Sequence, residues 1–82
     1  MADQPDPALV ALGMAVRARR IDRGFTQERL AEEAGLHPRY VSDIERGRRN
    51  VGFLNLVRLS RGLGLDLVAL MADTETRLAG RL

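Results

Sequence analysis

The sequence predicts an all-α domain of five helices. Three observations carry this. Apolar residues recur at helical spacing, no segment alternates with period two, and glycines or helix-capping residues punctuate the chain at short intervals. With 82 residues there is room for one domain and one small core. Apolar residues make up 45% of the chain, which excludes a disordered composition. Cysteine is absent and there is a single histidine, so neither a disulfide framework nor a thiolate or histidine-cluster metal site can form.

Asp6-Pro7 opens the first helix, with Asp6 as N-cap and Pro7 at the first helical position. Leu9, Leu12 and Val16 share one face, and Gly24 ends a helix running to about Arg23. Thr26 caps the second helix, whose residues Gln27 to Ala34 are strong helix formers, and Gly35 stops it. The third helix starts at once, with His37 as N-cap and Pro38 at its first position; Val41 and Ile44 face inward and Gly47 closes it. A fourth helix is predicted from Phe53 to Gly62, with Phe53, Leu56, Leu59 and Leu63 as its buried stripe. Asp66 caps a fifth, short helix to about Ala72, which the remaining residues either extend or leave frayed. The predicted organisation is a flexible N-terminal arm over 1–6, a helical domain over 7–72 and a tail over 73–82 that is helical and dimer-supporting where it extends the fifth helix.

All 13 basic residues are arginine. They begin at Arg17, and seven of them form two clusters, Arg17/Arg19/Arg20/Arg23 and Arg46/Arg48/Arg49. Local basic patches on a chain of net charge +2 suggest a polyanionic partner. The acidic, proline-containing start lacks the basic region of a secretory signal, and the apolar stretch 8–16 is too short to span a bilayer, so a cytoplasmic location is expected.

Two short helices joined at Gly35 with almost no loop must cross steeply, the helix-turn-helix geometry that presents a second helix to the DNA major groove. At roughly 100° per residue, Arg39, Ser42, Asp43 and Arg46 occupy one side of that helix and Tyr40, Val41 and Ile44 the other. One side is built for a core, the other offers donors and acceptors suited to base edges.

The segments Gly24-Phe25-Thr26-Gln27-Glu28-Arg29-Leu30-Ala31, Gly35-Leu36, Tyr40-Val41-Ser42-Asp43-Ile44-Glu45-Arg46-Gly47 and Phe53 to Leu59 with Gly62-Leu63-Gly64-Leu65 resemble, in this order and spacing, the Cro/cI-type or XRE family of helix-turn-helix regulators. The resemblance spans about Leu9 to Met71, and the chain length resembles that of restriction–modification controller proteins. It implies a lambda-repressor-like fold and a homodimer that binds double-stranded DNA at a pseudo-palindromic operator, with autoregulation, no enzymatic activity, no cofactor, no small-molecule ligand and no membrane partner.

Carried onto this chain, the resemblance puts base reading on Pro38, Arg39, Ser42 and Asp43, and backbone contacts on Thr26, Gln27, His37, Tyr40, Arg46, Arg48 and Arg49. Pro38 departs from the polar residue common at its position and throws weight onto Arg39, which can fork onto guanine or pair with Asp43, or do both. Glu45 is structural and pairs with Arg20; Gln27 braces the recognition helix as well as meeting a phosphate. Leu54, Val57, Val68, Met71 and Leu78 are surplus apolar groups assigned to the dimer interface. Two other functions remain open at this point: an antitoxin that represses its own operon, and a protein-interaction module that keeps the fold without binding DNA.

Overall fold

A computed structural model describes residues 5–81. Its elements are α1 (Pro7–Asp22), α2 (Gln27–Ala34), α3 (Pro38–Glu45), α4 (Phe53–Gly62) and α5 (Leu67–Ala79). Among the described residues there is no strand. Positions 1–4 of the expected N-terminal arm and Leu82 of the expected tail lie outside the described residues.

The helix starts follow the capping chemistry. The side chains of Asp6, Thr26, His37 and Asp66 each accept a hydrogen bond from a backbone N–H of the first turn they precede. Gly35 adopts φ 70°, the left-handed conformation that stops α2 and turns the chain into α3 within three residues. Of the two outcomes open for the tail, extension holds: α5 runs unbroken through Asp73 to Ala79 and lies along α1.

α1 packs on α3 and α5, and α2 packs on α3 and α4. The core lies between them: Leu12, Ala15 and Val16 of α1, Leu30 and Ala31 of α2, Val41 and Ile44 of α3, Leu59 of α4, then Leu63 and Leu70. Every helix contributes, so none buries its apolar face alone.

Phe53 corrects the predicted α4 stripe, being 71% exposed. At roughly 100° per residue, Phe53 falls about 40° from Val57 but about 90° from the centre of the Leu56/Leu59/Leu63 arc. It sits in the first turn and belongs to an outward apolar strip. Leu54 is exposed and Val57 half-buried on the same side, whereas Leu56 packs against the core and Leu59 and Leu63 are fully buried.

The closest approach of backbone to a glycine is at Gly13. A β-carbon there would run into the Ile44 carbonyl oxygen and lie 2.8 Å from that of Glu45. α1 and the end of α3 therefore meet backbone to backbone, and glycine sits mid-helix despite its low propensity. Gly13→Ala is expected to destabilise the fold by roughly 1–3 kcal/mol, although alanine is the better helix former. Urea denaturation measures this; a variant as stable as the parent would show that the helices can move apart at no cost.

Candidate nucleic-acid interface

The base of α3 is fixed by charge as well as by packing. Arg20 of α1 donates to Glu45 through Nε at 2.6 Å and Nη2 at 2.9 Å, and through Nη1 to the Phe25 carbonyl at 2.8 Å. Gln27, the first residue of α2, donates from Nε2 to Glu45 Oε1 at 3.1 Å. The Glu45 carboxylate is thus shared between α1 and α2 while belonging to α3. The two charged side chains are only 12% and 3% exposed. The hydrogen bond to Glu45 raises the Arg20 pKa, against the opposing effect of burial. A bidentate Arg–carboxylate pair fixes orientation as well as distance, so α3 is held at one angle.

The start of α3 is fixed by its cap. His37 Nδ1 accepts from the Arg39 backbone N–H at 3.0 Å. An accepting Nδ1 puts the neutral ring's proton on Nε2, leaving that group a donor on an exposed side chain. Pro38 follows at the first helical position, where no intrahelical N–H is required.

Between these fixed ends the helix has two unlike sides. Val41 and Ile44 are buried. On the other, Arg39 has 77% of its side chain exposed. Arg46 donates from Nη2 to Ser42 Oγ at 2.7 Å. Asp43 lies between two arginines: Oδ1 is 3.6 Å from Arg39 Nε and Oδ2 is 3.6 Å from Arg49 Nε. Tyr40 is half-buried, and its hydroxyl accepts from Asn55 Nδ2 at 3.1 Å. Arg49 lies over the Tyr40 ring, 5.2 Å from its centre. Arg48 is exposed in the loop after α3. Thr26 is engaged as a cap, accepting from the Arg29 N–H at 3.0 Å.

Arg39, Ser42, Asp43, Arg46 and Arg49 thus share one surface. Thr26, Gln27 and His37 stand at the starts of the two helices that form it. The proposed dimer residues are separate from it, on α4 and α5: Leu54 and Val68 are exposed, and Val57, Met71 and Leu78 half-buried, with Met71 also touching the core.

Among the contacts that sequence reasoning missed are those of three residues. Asn55 supports Tyr40 from α4. Phe25 lies between Arg23 and Arg29, at 4.8 and 5.0 Å from its ring centre. Asp73 of α5 pairs with Arg19 at 3.5 Å and Arg77 at 2.9 Å. The spacing of Asp73 and Arg77 could have signalled the last pair, being i,i+4 on one helix. The Asn55–Tyr40 and Arg19–Asp73 contacts join different elements and leave no local trace.

Two short helices turned at a left-handed glycine, the second locked at both ends with an arginine-bearing outer side, define a helix-turn-helix domain. A helix-turn-helix family model matches residues 16–70. Control protein C.BamHI of Bacillus amyloliquefaciens is 46% identical over 55 residues, covering 66% of this chain and 68% of its own. Among solved structures, the restriction–modification controller protein C.AhdI of Aeromonas hydrophila is 39% identical with a TM-score of 0.74, covering 76% of this chain and 94% of its own. The controller protein C.Esp1396I, solved as a tetramer in complex with its natural 35-base-pair operator, is 28% identical with a TM-score of 0.81, covering 88% of this chain and 95% of its own. The chain belongs to the XRE-type helix-turn-helix family of DNA-binding transcriptional regulators. It is not an enzyme family. No helix among the described residues is long and apolar enough to cross a membrane.

The shared carboxylate makes a prediction. Glu45→Ala leaves Arg20 charged and unpaired in a covered position, and should cost about 2–4 kcal/mol of stability. Arg20→Ala should cost a similar amount. The double variant should lose clearly less than the two single losses combined, because the pair is one interaction. Additive losses in chemical denaturation would mean that the two side chains stabilise the fold independently.

Proposed function

We propose that this protein binds operator DNA as a homodimer, reads a pseudo-palindromic site with α3 and regulates its own expression from the cytoplasm. The observation that carries this reading is the outer side of α3. Arg39, Ser42, Asp43 and Arg46 stand together on a helix whose opposite side and both ends are fixed. A helix held this way can enter a major groove without first being ordered, so binding does not bear that entropic cost.

The division of labour follows from position. Arg39 stands in the first turn of α3 and is the leading base reader, since Pro38 beside it offers no side-chain hydrogen bond. Ser42 can assist. Thr26, Gln27 and His37 flank the groove-facing helix at helix starts, where N–H groups and the helix dipole favour phosphate. Arg46, Arg48 and Arg49 at the far end, with the Tyr40 hydroxyl, suit the adjoining backbone.

Dimerisation through α4 and α5 is supported by apolar groups that the monomer leaves in solvent: Phe53, Leu54 and Val68 are all more than half exposed. An isologous pair places two copies of α3 about 34 Å apart, one turn of DNA. The operator-bound assembly of C.Esp1396I, a controller protein, supports the same mode of action here.

The direct experiment is a mobility-shift assay on DNA immediately upstream of the gene at physiological salt. The expected result is a complex of two protomers per site that unrelated duplex does not compete away. A shift equally well competed by unrelated duplex would contradict operator reading.

Arg39→Ala should relax preference at one base pair per half-site by about 1–3 kcal/mol while binding to random DNA falls much less. Arg39→Lys should restore only part of this, for lack of a planar fork. Affinities for the operator and its single-base variants measure it. A uniform loss across all of them would make Arg39 a phosphate contact.

A further inference from the structure

We propose that Asp43 sets specificity by holding Arg39 and Arg49, and does not itself read a base. This rests on the DNA-reading function of α3 and deepens it.

Each carboxylate oxygen of Asp43 faces the Nε of a different arginine, both at 3.6 Å. Those distances are beyond a good hydrogen bond, so the carboxylate restrains the arginines by charge and not by a fixed hydrogen bond. The Asp43 side chain is 17% exposed, whereas that of Arg39 is 77% exposed. The carboxylate therefore lies beneath the arginines and is poorly placed to reach past them to a cytosine amino group.

Gripping Arg39 at Nε has a chemical consequence. A guanidinium carries five donors, and its two Nη groups stay free to fork onto O6 and N7 of a guanine. Asp43 thus points Arg39 without consuming the edge that reads. Arg49 is ordered in the same way from its other oxygen. It is also stacked over Tyr40, whose hydroxyl is held by Asn55 of α4. The result is a continuous chain of contacts, Arg39–Asp43–Arg49–Tyr40–Asn55, along the surface that faces DNA.

On a matching site, Arg39 gains guanine and keeps Asp43. On a mismatched site it gains nothing, and Asp43 restrains both arginines from turning to phosphates. The carboxylate itself is also repelled by the DNA backbone. Asp43 therefore penalises random DNA more than the operator, a discrimination made by an unfavourable contact with the wrong partner.

The test uses a duplex enriched by the wild-type protein from a random library, and a scrambled duplex of equal length and composition. Asp43→Asn keeps the side-chain shape and removes the charge. It should raise affinity for the scrambled duplex by on the order of three- to tenfold and the enriched duplex by less, lowering their ratio. The drop should vanish when the substitution is made in an Arg39→Ala/Arg49→Ala background, which a purely structural effect would not do. An unchanged ratio in the single variant overturns the proposal, as does a drop that persists without the two arginines. Loss of preference at a single C·G pair, with scrambled binding unchanged, makes Asp43 a base reader and overturns it too. If the wild type enriches no sequence at all, the DNA-reading function fails first and takes this role of Asp43 with it.

Discussion

Everything on the outer side of α3 depends on how the end of that helix is fastened to α1. Two contacts of different kind act at the same place. Gly13 lets the backbones approach until the Ile44 and Glu45 carbonyls meet α1 directly. Arg20 then closes on Glu45 from about two turns further along α1, through two hydrogen bonds. Close packing alone fixes distance but leaves rotation about the contact soft. The planar fork of Arg20 on a carboxylate fixes the rotation. Gln27 adds α2 to the same carboxylate, so the two helices of the motif and the helix behind them share one polar joint.

That joint explains why so small a core suffices. Five helices around the 13 apolar residues that are buried among those described leave little surplus stability. Stiffness is concentrated where α3 must be aimed. The outer side of α3 is organised by looser contacts: the exposed pairs of Asp43 with Arg39 and Arg49, and the Arg46–Ser42 hydrogen bond. Exposed pairs of this kind contribute little to stability and can yield to a better partner. The rigid joint and the yielding surface are suited to two different tasks, placing the helix and reading with it.

The parts of this structure that were legible in the sequence are those set by neighbouring residues. Asp6, Thr26, His37 and Asp66 marked helix starts because a cap acts within one turn. Gly35 marked the turn because a left-handed residue strongly favours glycine. Phe53 was misplaced because periodicity gives the angular position of a side chain, not which arc meets the core. On α4 two apolar arcs adjoin, and only the packing of α2 and α5 decides between them. The extent of α5 was undecided for a related reason. Its last turns are held by Asp73 against Arg19, a contact across 54 positions that no local pattern encodes. In the interface, the Arg20 partner of Glu45 came from the family resemblance, whereas the Gln27 bond to Glu45, Asn55 beneath Tyr40 and Arg49 beside Asp43 emerged only in three dimensions.

If α3 is fixed before DNA arrives, its end should open only when the whole domain unfolds. Native-state hydrogen exchange on the free protein measures this residue by residue. The amides of Ile44 and Glu45 should then exchange with the same opening free energy as those of Ala15 and Val16 in the middle of α1, and with the same denaturant dependence. Exchange of the α3 amides through a smaller, local opening, lower by more than about 1 kcal/mol than that of α1, would show that α3 detaches on its own and that the joint at Glu45 does not aim it.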